Sequence, residues 1–459
     1  MYNYFFKISK FLLYIVPFSL VIVSTSTLFP FIVGKYVFFR IAIGLSLIFF
    51  ILGLGFRSYA GYAGNGARVR DKLKSPLVIA MFVFIFIFVL ASFFGADPSF
   101  SFWSNFERGE GGFQLLTLFA FFILAILLLN TEKEWQNFFI FWLIAAVFVI
   151  GYGIFAHLGQ SGYNAFANFM GPKISAQSRF QGSLGNPAYT APYLLLAAIY
   201  AFYLFITSAP KIKKGILLAL VAIFLVFFWL AQTRGTFLGL VAGGFMFLIY
   251  LIFNARKGKW KSWLIGILAI LLVIGGTLYY FRNTKFVEQM PGGRLFQISL
   301  SNETAQTRFW TWGSAIKGFN ERPILGWGPE NFSIVFDKYF DTRHFVAGQR
   351  SETWFDRAHS VYFDYLTETG ILGLLSYLAV FAVFYIQFFK WRFRNKGETN
   401  YKKLSVQGLI FAVPIAYLVQ GIALFDILPI YLNIFAFLSF SNFIFNDKEK
   451  MPANKNTRK

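Results

Sequence analysis

The sequence predicts an all-α polytopic membrane protein with about twelve transmembrane helices and one long extracytoplasmic loop that contains amphipathic helices. Hydrophobic residues make up 57% of the chain and charged residues only 14%, whereas soluble domains average about 25% charged residues. Apolar stretches of about 20 residues recur along the chain, and each is long enough to cross a bilayer as a helix. Cysteine is absent, which excludes disulfides, thiolate metal ligands and a cysteine nucleophile.

The apolar stretches define the domain organisation. The first follows Lys7 and Lys10 and has no small-residue cleavage site, so it is predicted to be a retained span. Spans 1–9 occupy residues 1–281, the long loop residues 282–370, spans 10–12 residues 371–446, and a basic cytoplasmic tail residues 447–459. The predicted spans are 11–29, 36–56, 76–94, 113–129, 138–157, 187–207, 215–231, 236–253, 262–281, 371–389, 404–425 and 427–446.

The basic residues fall mainly into alternate loops. One set of loops, which includes both termini, carries 26 of the 42 basic residues but only 6 of the 20 acidic ones. The positive-inside rule places this set in the cytoplasm and the 282–370 loop outside. Membrane orientation and contact with anionic lipids therefore explain the net charge of +22 better than nucleic-acid binding does.

The predicted spans contain almost no carboxylates. Asp426 lies at a junction between spans, and Asp364 and Glu368 precede the tenth span. Because ion-coupled transporters normally need buried carboxylates as ion sites, the spans are interpreted as a scaffold, with the chemistry at the outer surface.

The long loop contains two predicted amphipathic helices. Residues 303–319 follow a helical period, and Arg308 lies in line with the apolar side chains. Such helices lie along the membrane interface or cap a helix bundle, and an arginine in the stripe either snorkels or binds an anion. The first stripe comprises Phe309, Trp312, Ile316 and Phe319, and the second comprises Phe332, Val335, Phe336, Tyr339 and Phe340.

Other arginines are also predicted to face outward. Arg234 lies in the very short connection between the seventh and eighth spans, which holds its guanidinium at the level of the outer headgroups. It is either an interfacial anchor or an anion ligand. Arg108, in "FWSNFERGEGGFQLL", and Arg357 are the further outward arginines.

The stretch "WFDRAHSVYFDYLTETGILG" (residues 354–373) contains one of only three histidines. Asp356 is predicted to be the N-cap of a helix that Gly370 ends, which makes His359 its third residue. A helix N-terminus disfavours imidazolium, so His359 is expected to be neutral and able to accept a proton. The alternative is a histidine that only bonds locally; His157 and His344 are predicted to be structural.

Four motifs together resemble the O-antigen ligase and O-antigen polymerase superfamily, over roughly residues 90–440: "GNPAYTAPYLLLA", "QTRGTFLGL", "RFWTWGSAIKGFNERPILGWGPENF" and "FDRAHSVYFDYLTETGILGLLSYL". By that resemblance, Arg234 and Arg308 match arginines that hold the diphosphate of a polyprenyl-linked glycan, and His359 matches the catalytic base. The family motif usually reads His-Asn, whereas here Ser360 follows the histidine. The supporting candidates are Arg108, Asp356, Arg357 and Ser360.

The resemblance implies an O-antigen ligase-like glycosyltransferase in the cytoplasmic (inner) membrane. It would move a glycan from a polyprenyl-diphosphate carrier to an acceptor hydroxyl on lipid A core, a repeat unit or a protein, with inversion and with neither metal nor cofactor. Polymerase and protein O-oligosaccharyltransferase activities are alternatives within the superfamily. Alternatives from other classes are a metal-dependent glycosyltransferase using Asp97, Glu107 and Glu110, a transporter of small anions, and a flippase-like lipid handler.

Overall fold

The structure is a computed structural model that describes residues 2–59, 66–160, 179–207, 211–289, 293–297, 299, 301, 303–345, 353–394 and 400–446. The predicted basic tail, residues 447–459, lies outside these ranges. Helices dominate the described residues, and no strand occurs among them. The α-helices are α1 (Tyr2–Ile15), α2 (Val33–Tyr59), α3 (Gly66–Leu73), α4 (Pro76–Phe93), α5 (Pro98–Trp103), α6 (Gly112–Leu128), α7 (Glu132–Gln160), α8 (Pro187–Thr207), α9 (Lys211–Ala231), α10 (Arg234–Asn254), α11 (Lys259–Tyr280), α12 (Lys285–Gln289), α13 (Glu303–Glu321), α14 (Phe332–Lys338), α15 (Val361–Glu368), α16 (Gly370–Arg394), α17 (Tyr401–Gln420) and α18 (Leu428–Asn446).

The predicted polytopic architecture is confirmed. In the part of the chain that the structure describes, 11 helices are long and apolar enough to cross a membrane, and α6 is a shorter apolar helix of 17 residues. The prediction for the first span, residues 11–29, was wrong, because this span covers Tyr2–Val21. Pro17 enters a 3₁₀ turn that ends the span, and the polar residues 24–27 form a separate turn.

The helices pack in pairs around an apolar core. α1 packs against α2, α4 against α16, α6 against α18, α8 against α9, and α10 against α17. α8 and α18 are the most enclosed, since nearly every side chain of α18 is buried. α11 lies at the edge of the bundle and buries only Leu264.

The contact between α10 and α17 depends on small residues. A Cβ atom added at Gly239 would lie 2.6 Å from the carbonyl oxygen of Ala416, and one added at Gly243 would lie 2.7 Å from its Cβ. Glycines four residues apart let two membrane helices approach at backbone distance. This seam fixes α10, whose first residue is Arg234.

The long loop forms a small subdomain with its own apolar core, built by Ala315, Phe332, Phe336, Phe355 and Ala358. The prediction for α14 is confirmed at three positions, since Phe332, Val335 and Phe336 are buried. His344 is also buried there, among aromatic rings.

The helix α13 packs on the subdomain core mainly through small side chains. Its buried residues are Thr311, Ser314, Ala315 and Gly318, whereas Phe309 and Ile316 of the predicted stripe are exposed. Trp312 of that stripe packs against the core. Close packing requires the small residues, because a Cβ atom at Gly318 would lie 2.2 Å from Cγ1 of Val335.

Loops from distant parts of the chain meet at one end of the bundle. The amide of Ala96 donates to the carbonyl of Trp327 at 2.7 Å, and the amide of Trp327 donates to the carbonyl of Thr367 at 3.0 Å. The amide of Val361 donates to the carbonyl of Gly421 at 2.9 Å. The segments that precede α5, follow α13 and follow α17 are thus joined through α15, and the predicted site residues lie among them.

Candidate active site

His359 lies in a strained backbone conformation directly before α15. Its φ is +57°, in the left-handed region that non-glycine residues seldom adopt. Ser360, not Asp356, is the N-cap residue of α15, which begins at Val361. The prediction that Asp356 caps this helix was wrong because its carboxylate pairs with Arg108, while the amide of Ala358 donates to Asp364 at 2.7 Å.

The hydrogen bonding of His359 fixes which ring nitrogen can accept a proton. Nδ1 lies 3.2 Å from the carbonyl oxygen of Arg357. Because a carbonyl oxygen only accepts, Nδ1 carries the hydrogen and Nε2 of the neutral ring has a free lone pair. Nε2 has no hydrogen-bond partner among the residues that the structure describes.

The surroundings of His359 keep its ring neutral. Burial, with Phe355 and Phe425 against the ring edges, lowers the pKa of His359 to about 4. The charges of Arg308 and Arg108 lower it further, whereas the Arg357 carbonyl and Asp356 raise it. The predicted direction is found, but the main cause is burial rather than a place inside the first helical turn.

Arg108 and Asp356 form a bidentate ion pair beside His359. Nε of Arg108 donates to Oδ2 of Asp356 at 2.9 Å, and its Nη2 donates to both oxygens at 2.9 and 2.7 Å. Nη1 donates to the Tyr189 hydroxyl at 2.9 Å, and the guanidinium lies over the ring of Phe425. Two planar groups joined this way have a fixed geometry, so the pair positions the segment that bears the histidine.

Arg357 does not face outward, contrary to the prediction. Its guanidinium is buried and paired with three carboxylates: Glu368 at 3.0 Å, Glu330, and Glu110 at 3.8 Å. Burial raises the pKa of Glu110 and of Glu368, and Arg357 opposes that rise. The cluster fastens the segment before His359 to the loop preceding α6 and to α15, and it holds both terminal nitrogens of Arg357 on carboxylates.

Ser360 also has a structural place. Its side chain is buried, and its hydroxyl donates to the carbonyl of Gly421 at 3.4 Å. It makes no hydrogen bond to the first turn of α15. Ser360 therefore joins the histidine segment to the loop after α17.

Arg234 and Arg308 belong to a group of four arginines, which also includes Arg179 and Arg294. Nε of Arg234 donates to the carbonyl of Arg294 at 3.1 Å, and Nη1 of Arg179 donates to the carbonyl of Gln232 at 3.5 Å. Across the described ranges, no carboxylate forms a salt bridge with any of the four.

The four charges are close enough to affect one another. Burial lowers the pKa of Arg308, and the charge of Arg234 lowers it further. Burial likewise lowers the pKa of Arg179, as do Arg294 and Arg234. A cluster of like charges is unfavourable unless a counter-charge joins it, so these arginines are a candidate anion site next to His359.

Sequence reasoning identified only half of this anion site. Arg179 lies shortly before the "GNPAYTAPYLLLA" motif, which was the available signal. Arg294 follows the two glycines of "MPGGRLF", and nothing in that pattern points to an anion. Both are recognised only because the fold brings them to Arg234.

The fold and site define a polytopic α-helical membrane protein whose cationic site and neutral histidine lie at one end of the bundle. The sequence model of the family described as O-antigen ligase matches residues 217–378, a range that contains Arg234, Arg308 and His359. This match, over about a third of the chain, supports membership in the O-antigen ligase and polymerase superfamily. This family is of the glycosyltransferase type, which supports an enzymatic role. Among curated proteins, none matches the chain.

Proposed function

We propose that the protein transfers a glycan from a polyprenyl-diphosphate carrier to an acceptor hydroxyl, as an O-antigen ligase-like glycosyltransferase. One observation carries the proposal: four arginines with no carboxylate partner among the described residues lie beside a histidine whose Nε2 has no hydrogen-bond partner there either. A lipid diphosphate supplies the anion that this group of arginines lacks. The planar guanidinium fork binds two phosphate oxygens at once, which suits a diphosphate.

The proposed mechanism is a single displacement. Nε2 of His359 accepts the proton of the acceptor hydroxyl as its oxygen attacks the anomeric carbon. The bond from that carbon to the diphosphate oxygen breaks, and the arginines stabilise the negative charge that develops on the departing diphosphate. Attack opposite the leaving group inverts the anomeric centre.

The bound donor also raises the basicity of His359. The charge of Arg308 opposes protonation of the ring. The negative charge of a bound diphosphate offsets this effect, so the pKa of His359 rises when the donor is present. The base therefore becomes more effective once the donor is bound.

We place this end of the bundle on the outer side of the cytoplasmic membrane, with both termini in the cytoplasm. The argument is the excess of basic residues in the opposite loops. An accessible tag near residue 345 should react with a membrane-impermeant reagent in intact cells, and one near residue 395 should react only after permeabilisation. The reverse labelling pattern would contradict the orientation.

Membranes that contain the protein are expected to transfer glycan from a polyprenyl-diphosphate donor, with candidate acceptors supplied one at a time. Transfer to lipid A core would identify a ligase, transfer to a glycan repeat unit a polymerase, and transfer to a protein serine or threonine a protein transferase. Activity that persists in a chelator separates the proposed reaction from a metal-dependent one. Movement of the donor or of a small anion across the membrane without a new glycosidic bond would instead identify a transporter.

A further inference from the structure

A polar cavity lies at the opposite end of the bundle from His359. It has a volume of about 510 Å³, within the range of about 300–1,000 Å³ typical of small-molecule sites. Its lining includes Leu127 and Leu128 at the C-terminal end of α6, whereas Arg108 and Glu110 precede the N-terminus of that helix. α6 has 17 residues, so about 25 Å separates the cavity from the site described above.

Cations line this cavity. Lys7, Lys10 and Lys72 contribute side chains to it, and no carboxylate belongs to its described lining. Lys10 pairs with Glu134 next to the cavity. Lys7 contacts the ring of Tyr4 and has no carboxylate partner in the described chain. Three lysines against one nearby glutamate leave the cavity with a net positive charge.

The helix end beside the cavity does not cancel this charge. The ammonium of Lys72 donates to the carbonyl of Ile126 at 2.6 Å, and the side-chain amide of Asn130 donates to those of Leu127 and Leu128 at 3.1 Å. The terminal carbonyls of α6, which otherwise repel an anion, are therefore already paired.

Apart from Asn3 and Asn130, the remaining lining of the cavity is apolar, and it reaches the outer surface of the bundle at Leu54. Phe6, Phe50 and Leu54 line the cavity, and Leu54 is itself exposed. Ile51 and Phe56 on the same helix are exposed as well. The cavity thus combines a cationic part with a path to surface that, in a membrane, contacts lipid acyl chains.

We propose that this cavity binds the phosphate-bearing headgroup of an anionic phospholipid, with the acyl chains lying along the exposed face of α2. Basic pockets between helix ends at the membrane surface recognise such headgroups by charge, and the apolar walls accommodate the start of the chains. The ligand is a phosphate monoanion on an apolar anchor. The apolar part distinguishes it from free phosphate.

The test uses the purified full-length chain in a neutral detergent, with binding measured by native mass spectrometry and by the change in melting temperature. Phosphatidylglycerol is expected to bind and to raise the melting temperature, whereas phosphatidylcholine and inorganic phosphate at the same concentration are not. Lys7→Gln should weaken phosphatidylglycerol binding about fivefold, since one lysine near an anionic headgroup contributes about that factor. Leu54→Trp, which fills the cavity without changing charge, should weaken it as well.

Lys257→Gln is the matched control, because Lys257 is exposed and lies outside the cavity lining. Its affinity for phosphatidylglycerol should equal that of the unmodified protein. Equal binding of the two phospholipids, or unchanged affinity in both cavity variants, would overturn the proposal. Displacement of phosphatidylglycerol by equimolar inorganic phosphate would overturn it too, because the site would then be one for a free anion.

Discussion

Replacing His359 by asparagine is expected to lower the rate of glycan transfer by about 10² to 10⁴-fold, the usual contribution of a general base. Asparagine tolerates the left-handed backbone at this position and cannot accept the proton. Donor binding should be preserved, because the arginines rather than the imidazole bind the diphosphate. Transfer rate and donor affinity, measured separately on the same preparation, check both expectations.

The choice of asparagine separates chemistry from folding. His359→Ala places a residue that disfavours the left-handed region at a φ of +57°, so a loss of activity could come from local strain. His359→Gly relieves the strain and also lacks the base. Equal, large losses of transfer activity in the asparagine and glycine variants would support the assignment of His359 as the general base. A loss below tenfold in the asparagine variant would reduce His359 to a structural role.

The same assignment predicts a pH dependence. Protonation of His359 removes the base, so activity should fall as the pH decreases through the pKa of this histidine. Burial lowers that pKa to about 4, and a bound diphosphate would raise it. The loss should therefore occur on the acidic side of neutrality. The asparagine variant should lack this limb of the profile.

Changing the arginines is expected to affect the donor as well as the rate. Arg234→Lys keeps the charge but loses the planar fork, so transfer should fall about 10- to 100-fold with normal membrane insertion. Arg308→Ala removes a half-buried charge and should raise the KM for the donor in addition to lowering kcat, with a combined loss of about 100-fold or more.

Arg343→Lys is the matched control for these variants. Arg343 lies on the same subdomain, but it is exposed and pairs with Asp341. Its replacement by lysine should leave transfer unchanged. Activity of the unmodified protein in both Arg234→Lys and Arg308→Ala would show that the two arginines are interfacial anchors only.

The sequence predicted well those features that depend on local periodicity. Hydrophobic length identified the spans. The first span was misplaced because the average hydrophobicity of residues 11–29 is high enough for a span. The helix in fact ends at Pro17 and the polar turn that follows, and an average over the whole stretch hides that break.

The site was predicted less completely because it depends on contacts between distant segments. Arg108 and Asp356 are 248 positions apart, so no local pattern could show that Asp356 is unavailable as a helix cap. The burial of Arg357 was missed because its partners Glu110 and Glu330 come from other loops, which a local pattern does not show. The small inward-facing residues of α13 were not predicted for a related reason: the partner helix requires small side chains there, and an apolar period alone does not reveal this.

The seam of small residues between α10 and α17 has a consequence for the chemistry at the membrane surface. Arg234 is the first residue of α10, and Gly239 lies five positions further along, about 7.5 Å deeper. A helix shifts as a rigid rod, so a methyl group introduced at Gly239 would push α10 away from α17 and displace the guanidinium at its tip. In the proposed mechanism, the depth and tilt of α10 thus set the position of the Arg234 guanidinium, and residues that do not touch the donor would contribute to its recognition.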